Sequence, residues 1–409
     1  MPEPDEPPSN VISLADALAA KARERLRDRA RRDRALADLT PWLDMAIDLA
    51  AVDFDAAIAC VDPASDDHAA LRCARALRVC VVGDVEAGLA EWADVIARFP
   101  HLAAPYLTRA RWLARMAPDE ALADVEAALE LEPTAEDAYL LRGKCHEKLG
   151  DADRALANYH RHLAANPREP DALKVVADAL VSRGEAGEAI ALYGRAIARA
   201  PDRADLHRAR ARAHASAGDA QRAFDDASRA IELQPDDAWS HTSRAIYRSN
   251  LDHDEALVTA DFDRAVELAP GNLFTRFHRA EWRRAGEDYD GAVEDFDRAI
   301  AASPRFGKLY VDRAWARAHK DISDATDDER RADLTANVED LRRAVELGVV
   351  SGDVYFLLSF CHRDLGDHAE AMAALDRGLE VAPDDQRLVG LRESAPIAAS
   401  TPAGVRSES

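Results

Sequence analysis

Aromatic residues make up only 6% of this 409-residue chain, although 48% of its residues are hydrophobic. An apolar set dominated by Ala and Leu suits closely packed helices better than sheets. No apolar run reaches the roughly 18 residues that a membrane-spanning helix needs. The first ten residues, MPEPDEPPSN, lack the basic and apolar regions of a secretory signal. We therefore expect an all-α, cytoplasmic protein without a membrane span.

Cysteine is also sparse. The five cysteines are an odd number and form no C-x-x-C pair, so the sequence contains no sign of a disulfide framework or a zinc site. This usage predicts buried, reduced thiols in a cytosolic protein.

Positive charge is in short supply, and the formal net charge of −23 argues against a general nucleic-acid or anionic-membrane surface. Residues 21–34 are the exception, with eight basic and three acidic side chains. Charges of both signs around one helix favour a solvent-exposed helix. The alternative is a basic arm, whose Leu14, Leu18 and Ala22 suffice for docking against the first repeat or a second copy. We expect residues 1–40 to be a disordered start followed by this helix.

Recognisable catalytic motifs are missing. The stretch RGKC at residues 142–145 lacks the glycine spacing of a phosphate-binding loop and the Ser or Thr that follows its Lys. His160 and His162 would point to different sides of a helix and serve one metal ion poorly. The sequence therefore predicts neither an enzyme nor a cofactor nor a metal site.

The sequence does contain an internal repeat of about 34 residues. Gly150, Gly184 and Gly218 are spaced 34 residues apart. Prolines that would end one helical pair and begin the link to the next recur with steps of 33 to 35 as far as residue 304. They are Pro100, Pro133, Pro167, Pro201, Pro235, Pro270 and Pro304, and a later Pro383 occupies the same place. Small residues recur in each unit, which predicts two closely packed helices.

These columns resemble the tetratricopeptide repeat over about residues 69–384. The resemblance implies an α-α superhelical solenoid of about eight to nine helical hairpins that forms one continuous body. We place the array at residues 69–392, with a degenerate capping pair before it at 41–68 and a flexible tail after it at 393–409. An acidic insertion near 321–331 is either a loop or an added helical turn, and both a functional and a merely tolerated insertion remain open.

The resemblance also implies that first helices line the concave face of such an array. One column of groove positions reads Leu140, Lys174, Arg208, Thr242, Phe277, Val311 and Phe356. With two neighbouring columns it yields two candidate sets for contacting a peptide or partner. The basic set is Lys144, Lys174, Arg208 and Arg212, and the aromatic set is Trp239, Phe274, Phe277, Trp315, Phe356 and Phe360. Aromatic side chains on a face that should meet water indicate a partner site.

The sequence thus predicts a protein–protein interaction scaffold or adaptor that holds a peptide or a partner's helix in the concave groove. Two alternatives stay open: a peptide-responsive regulatory sensor, and a structural subunit that assembles through its terminal repeats. The partner is predicted to be a protein or peptide rather than nucleic acid.

Overall fold

The computed structural model describes residues 63–251, 254–320 and 325–394, together with Ile58. Over those residues the chain forms 19 α-helices and no strand, which confirms the all-α prediction. The expectations for residues 1–40, for most of the capping pair at 41–68 and for nearly all of the tail lie outside the described residues. So does Cys60.

The chain divides into two compact units, Met1–Pro201 and Asp202–Ser409. Whether the two continue one array remains a prediction. The first unit contains four described hairpins: α1 (Asp66–Val82) with α2 (Val85–Arg98), α3 (Ala103–Leu113) with α4 (Pro118–Leu131), α5 (Glu136–Lys148) with α6 (Ala152–Ala165), and α7 (Pro170–Ser182) with α8 (Ala186–Ile197). Each helix packs most closely on its hairpin partner.

The second unit contains five hairpins and a final helix over its described residues. The pairs are α9 (Ala204–Ser216) with α10 (Ala220–Leu233), α11 (Ala238–Ser249) with α12 (Glu255–Leu268), α13 (Leu273–Ala285) with α14 (Tyr289–Ala302), α15 (Lys308–Ala318) with α16 (Asp327–Glu346), and α17 (Gly352–Leu365) with α18 (His368–Val381). The last helix is α19 (Gln386–Ser394), and its Leu388 is fully buried.

The recurring prolines and glycines mark the helix ends. Most second helices end two residues before the proline, as α6 does at Ala165 before Pro167. The residue before a proline is sterically disfavoured in the helical region, which stops the helix there. At the other turn, Gly150 has a φ of 80° and precedes Asp151, whose carboxylate accepts a hydrogen bond from the Arg154 backbone N–H. Glycine adopts this left-handed backbone without steric cost, so the chain reverses in very few residues.

Small residues occupy the tight contacts within and between hairpins. Buried alanines without measurable exposure include Ala177, Ala211, Ala245 and Ala280 in first helices, and Ala189, Ala223, Ala292, Ala196, Ala230 and Ala299 in second helices. At Gly143 the room is smaller still, because a Cβ there would lie 2.4 Å from Cε1 of Tyr159. Larger side chains such as Phe262 and Phe296 fill the remaining core.

An arginine in the first helix pairs with a buried carboxylate in the second helix of five hairpins. The pairs are Arg109–Asp124, Arg210–Asp226, Arg244–Asp261, Arg279–Asp295 and Arg313–Asp340. The aspartate side chains are at most 9% exposed. Buried charge is tolerated only when it is paired and hydrogen-bonded, so each pair fixes the position of one helix against the other.

The insertion lies before and within α16. This helix has 20 residues, whereas the other second helices have 12 to 14. Thr326 and Glu329 form a reciprocal capping box at its start. Residues 327–331 therefore form an added helical turn, while residues 321–324 lie outside the described residues.

Candidate functional site

A cavity of about 390 Å³ opens in the second unit between the first helices α13, α15 and α17. Two of the predicted aromatic residues, Trp315 and Phe356, line it, with Val311 and Leu357. These side chains provide an apolar surface. The volume of the cavity is within the range of about 300–1,000 Å³ seen for small ligand pockets.

Trp315 is held from two sides. The His319 ring stacks on its indole with centroids 3.7 Å apart and planes 18° apart, because His319 lies one turn further along α15. From α13, the Arg284 guanidinium lies 4.7 Å from the indole centroid. The indole therefore packs against both side chains and remains partly exposed.

Six ionic groups surround the apolar surface and pair with one another. Glu281 and Arg284 are 2.9 Å apart, Lys308 and Asp312 are 2.5 Å apart, and Asp353 and Arg387 are 2.6 Å apart. Three cations thus meet three carboxylates within one cavity. A ligand entering it would meet hydrogen-bonding groups of both signs at the rim.

Asp312 is the most enclosed of these carboxylates. Burial raises the pKa of Asp312 above its usual range, and the hydrogen bond from the Lys308 ammonium offsets only part of that effect. The same ammonium lies 4.9 Å from the Phe277 ring centroid, so Lys308 links the cavity to a third predicted aromatic. Phe277 also contacts His278 and the buried Phe296 edge-on.

Arg387 closes the C-terminal side of the cavity. It comes from α19, pairs with Asp353 and Asp385, and lies 5.1 Å from the ring centroid of Phe356. Hydrogen bonds to Asp385 and Asp353 raise the pKa of Arg387, and the pKa of Asp385 falls to about 2. The final helix thus contributes directly to the cavity.

A second aromatic surface lies at the starts of α11 and α13. Trp239 is 46% exposed and stacks on Phe274 with ring centroids 4.7 Å apart and planes 20° apart. Phe274 also contacts the edge of the His278 ring, at 4.4 Å. Phe360, which is 37% exposed, lies beneath the Arg363 guanidinium and outside the cavity lining.

The basic residues are only partly available. Lys174 pairs with Asp178 at 2.8 Å and Arg208 with Asp237 at 2.9 Å, whereas the side chains of Lys144 and Arg212 are exposed. Lys144 and Lys174 belong to the first unit and Arg208 and Arg212 to the second. That the four form one strip remains a prediction.

One groove position was predicted wrongly. Thr242 is fully buried, and its hydroxyl lies 2.8 Å from the hydroxyl of Thr275 on the next first helix. The Thr242 hydroxyl donates to the Ala238 carbonyl, so it can accept the hydrogen bond from the Thr275 hydroxyl inside the contact between hairpins. The column that contains Thr242 therefore does not face one surface throughout.

Five cavity residues were missed by sequence reasoning: Arg284, Asp312, His319, Leu357 and Arg387. Arg284 and Asp312 each follow an oppositely charged residue by three or four positions, a spacing that could have identified them. Arg387 follows Asp353 by 34 residues, which is one repeat period, so extending the groove column that contains Asp353 into the last helix could have identified it.

The described thiols are enclosed. Cys73, Cys80, Cys145 and Cys361 are free and buried, and burial raises the pKa of Cys80, Cys145 and Cys361 to about 11. Over the described part of the chain, no cluster of His, Cys, Asp and Glu is arranged to hold a metal ion. In the same residues no helix is long and apolar enough to cross a membrane.

Family models described as tetratricopeptide repeat match residues 117–172, 147–213 and 352–385. No curated protein matches the chain. Similar solved structures include a chain of the APC/C hetero-tetramer Cut9–Hcn1, with 13% identity, a TM-score of 0.49 and coverage of 85% of this chain and 67% of that one. A thermophilic TPR protein of Thermus thermophilus has 23% identity, a TM-score of 0.41 and coverage of 44% and 98%. A tetratricopeptide repeat protein of Parabacteroides merdae has 15% identity, a TM-score of 0.42 and coverage of 63% and 97%.

Proposed function

We propose that this chain, which is a tetratricopeptide repeat protein, is an adaptor that binds a peptide or a partner's helix along its first helices. The fold itself supports a general role as a protein–protein interaction scaffold. The finer proposal is that the cavity between α13, α15 and α17 anchors the partner in the second unit. The observation that carries it is a partly exposed Trp315, packed against His319 and Arg284, in a cavity that combines an apolar surface with paired ionic groups.

Apolar contact would supply most of the affinity. Tryptophan is enriched among residues that dominate binding energies, particularly where the neighbouring contacts exclude water. Trp315 is already fixed by His319 and Arg284, so little side-chain entropy would be lost when a partner packs on it. The stacked pair Trp239 and Phe274 offers a second apolar contact two hairpins earlier.

The ionic rim would orient the partner. Each of its cations already has a carboxylate on the same chain, so a partner gains hydrogen bonds from the rim by sharing these groups. A peptide backbone has donors and acceptors of both kinds, and it fits a rim with both signs. The basic residues Lys144, Lys174, Arg208 and Arg212 are proposed to contact acidic groups of the same partner.

Two further parts of the proposal are that the chain is not an enzyme and that it is cytoplasmic. We propose that the chain acts by binding and not by catalysis, since no catalytic constellation was found in its sequence. A cytoplasmic location is proposed because the described cysteines are buried free thiols, which suit a reducing compartment.

The test uses the full-length chain as bait for a random peptide library, followed by titration of an enriched peptide. Trp315→Ala and Phe356→Ala should each weaken binding about tenfold or more, because truncated hot spots cost about 2 kcal/mol. Leu257→Ala is the matched control, since Leu257 is 50% exposed but lies on the second helix α12. Equal affinity of the peptide for all three variants and the unmodified protein would refute the proposed anchor.

A further inference from the structure

A second cavity, of about 610 Å³, lies in the first unit between the first helices α1 and α3. Its lining includes small or apolar side chains, with Ala70, Ala74 and Leu77 on α1 and Ala104 on α3. Ala70 and Ala104 are exposed, so the space exists because alanines stand where larger side chains would fill it. An apolar recess of this kind suits a row of aliphatic side chains from another helix.

Acidic groups dominate the rim of this cavity. Asp66, Asp67 and Glu132 line it, and all three are exposed. The basic lining residue, Arg111, pairs with Asp137 on α5 at 2.6 Å, so that carboxylate compensates its charge. The cavity is therefore apolar inside and negative at its edge, and it would favour an apolar segment that carries positive charge.

We propose that residues 14–34 of the same chain bind in this cavity. Their sequence places apolar side chains four positions apart, at Leu14, Leu18, Ala22 and Leu26, which would lie along one side of a helix. Residues 21–34 also carry eight basic side chains against three acidic ones in a chain whose net charge is −23. Both properties match the cavity: aliphatic side chains for its walls and positive charge for its rim.

The connection favours this segment over a separate molecule. About 30 residues separate residue 34 from Asp66; fully extended they could span roughly 100 Å, and the capping pair predicted at 41–68 would shorten that reach. Helix α1 is only about 25 Å long, so the linker can reach any part of the cavity that α1 lines. Tethering of this kind gives effective concentrations in the millimolar range. The arm would thereby cover the first-helix face of the first two hairpins.

Hydrogen exchange followed by mass spectrometry on the full-length chain tests the proposal. Backbone amides of residues 14–34 should exchange about tenfold more slowly in the unmodified protein than in Ala70→Trp, which fills the cavity, or Leu18→Asp, which removes an apolar contact. Ala20→Asp is the matched control, because it adds the same acid on the opposite side of the predicted helix, and it should leave the slow exchange intact. Unchanged exchange at residues 136–148 would show that the array is folded in each variant.

The same experiment has clear opposing outcomes. Exchange of residues 14–34 that is equally fast, or equally slow, in the unmodified protein and in Ala70→Trp would overturn the proposal. Slow exchange that appears only at high protein concentration, together with a doubled molecular mass, would assign the cavity to a second copy and overturn the intramolecular arrangement. If residues 14–34 still exchange slowly in dilute protein, and exchange faster as the salt concentration rises, the charged rim contributes as proposed.

Discussion

Asp295 in α14 offers the sharpest test of the buried ion pairs. Its carboxylate is fully buried and accepts hydrogen bonds from Arg276, Arg279 and Arg283, all on α13. The donor–acceptor distances are 2.6 Å from Arg276, 2.6 and 2.7 Å from Arg279, and 3.0 Å from Arg283. Asp295→Ala removes the shared acceptor and leaves three guanidinium groups in place. Arg279 keeps its contact with the exposed Asp263, but the three largely buried guanidinium groups lose the carboxylate that they share. Because buried charge is costly without such a partner, this hairpin should lose about 3–5 kcal/mol of stability.

Asp263→Ala provides the matched comparison. Asp263 contacts the same Arg279 at 2.7 Å but its side chain is 50% exposed. Pairs open to water contribute only about 0–1 kcal/mol, so this variant should be nearly as stable as the unmodified protein. The difference in stability between the two variants measures the effect of burial, since both changes remove one carboxylate from the same arginine.

The assay must report on one hairpin, because repeats unfold with their neighbours and not always as a single unit. Hydrogen exchange of residues 289–302, measured alongside urea unfolding followed by circular dichroism, gives both local and overall stability. The stability of Asp295→Asn should lie between those of Asp295→Ala and Asp263→Ala, since the asparagine keeps the shape and one acceptor oxygen but loses the charge. Losses for Asp295→Ala and Asp263→Ala that agree within about 1 kcal/mol would refute the reasoning.

Two further predictions concern pH and backbone conformation. Burial alone would raise the pKa of Asp226, but hydrogen bonds from Arg210 and His207 outweigh it and lower that pKa. The stabilisation that ionised Asp226 provides is therefore complete near neutral pH and is lost as the pH falls below about 4. The urea midpoint of the unmodified protein should drop below that pH, and it should drop less in Asp226→Asn. An equal drop in the two proteins would contradict this. Gly150→Ala forces a side chain onto a φ of 80° and should cost about 1–2 kcal/mol in urea unfolding. Gly390→Ala, at an exposed position of helix α19 with open space around it, should instead stabilise by up to about 1 kcal/mol. Losses of equal size for the two variants would argue against the backbone explanation.

The helix boundaries were predictable because they depend on local backbone chemistry. Proline and glycine restrict or permit particular backbone angles regardless of distant contacts, so their columns located the turns, as at Gly150 and Pro167. The alanine columns were predictable for a similar reason, since a contact between close backbones excludes large side chains at every repeat. The all-α class follows from these columns together with the Ala- and Leu-rich composition.

The buried ion pairs were not predicted, although their spacing was visible. Arg210–Asp226 and Arg279–Asp295 are both 16 residues apart, and Arg244–Asp261 is 17 apart. Charged residues usually lie at the surface, so residue type alone pointed away from a core role. Only the recurrence of opposite charges at one hairpin spacing distinguishes these residues from surface charges. The groove column failed at Thr242 for a related reason, since a position that faces solvent in one repeat can face the next hairpin in another.

Counting basic residues describes the candidate site poorly, because the basic residues that line the cavity are already paired. Lys308, Arg284 and Arg387 are each paired with a carboxylate, so the formal charges of the lining cancel. A partner cannot gain much from charge attraction there without displacing an existing pair. The partner that we propose would therefore gain mainly by covering Trp315 and Phe356, and apolar side chains would suit this cavity better than acidic ones.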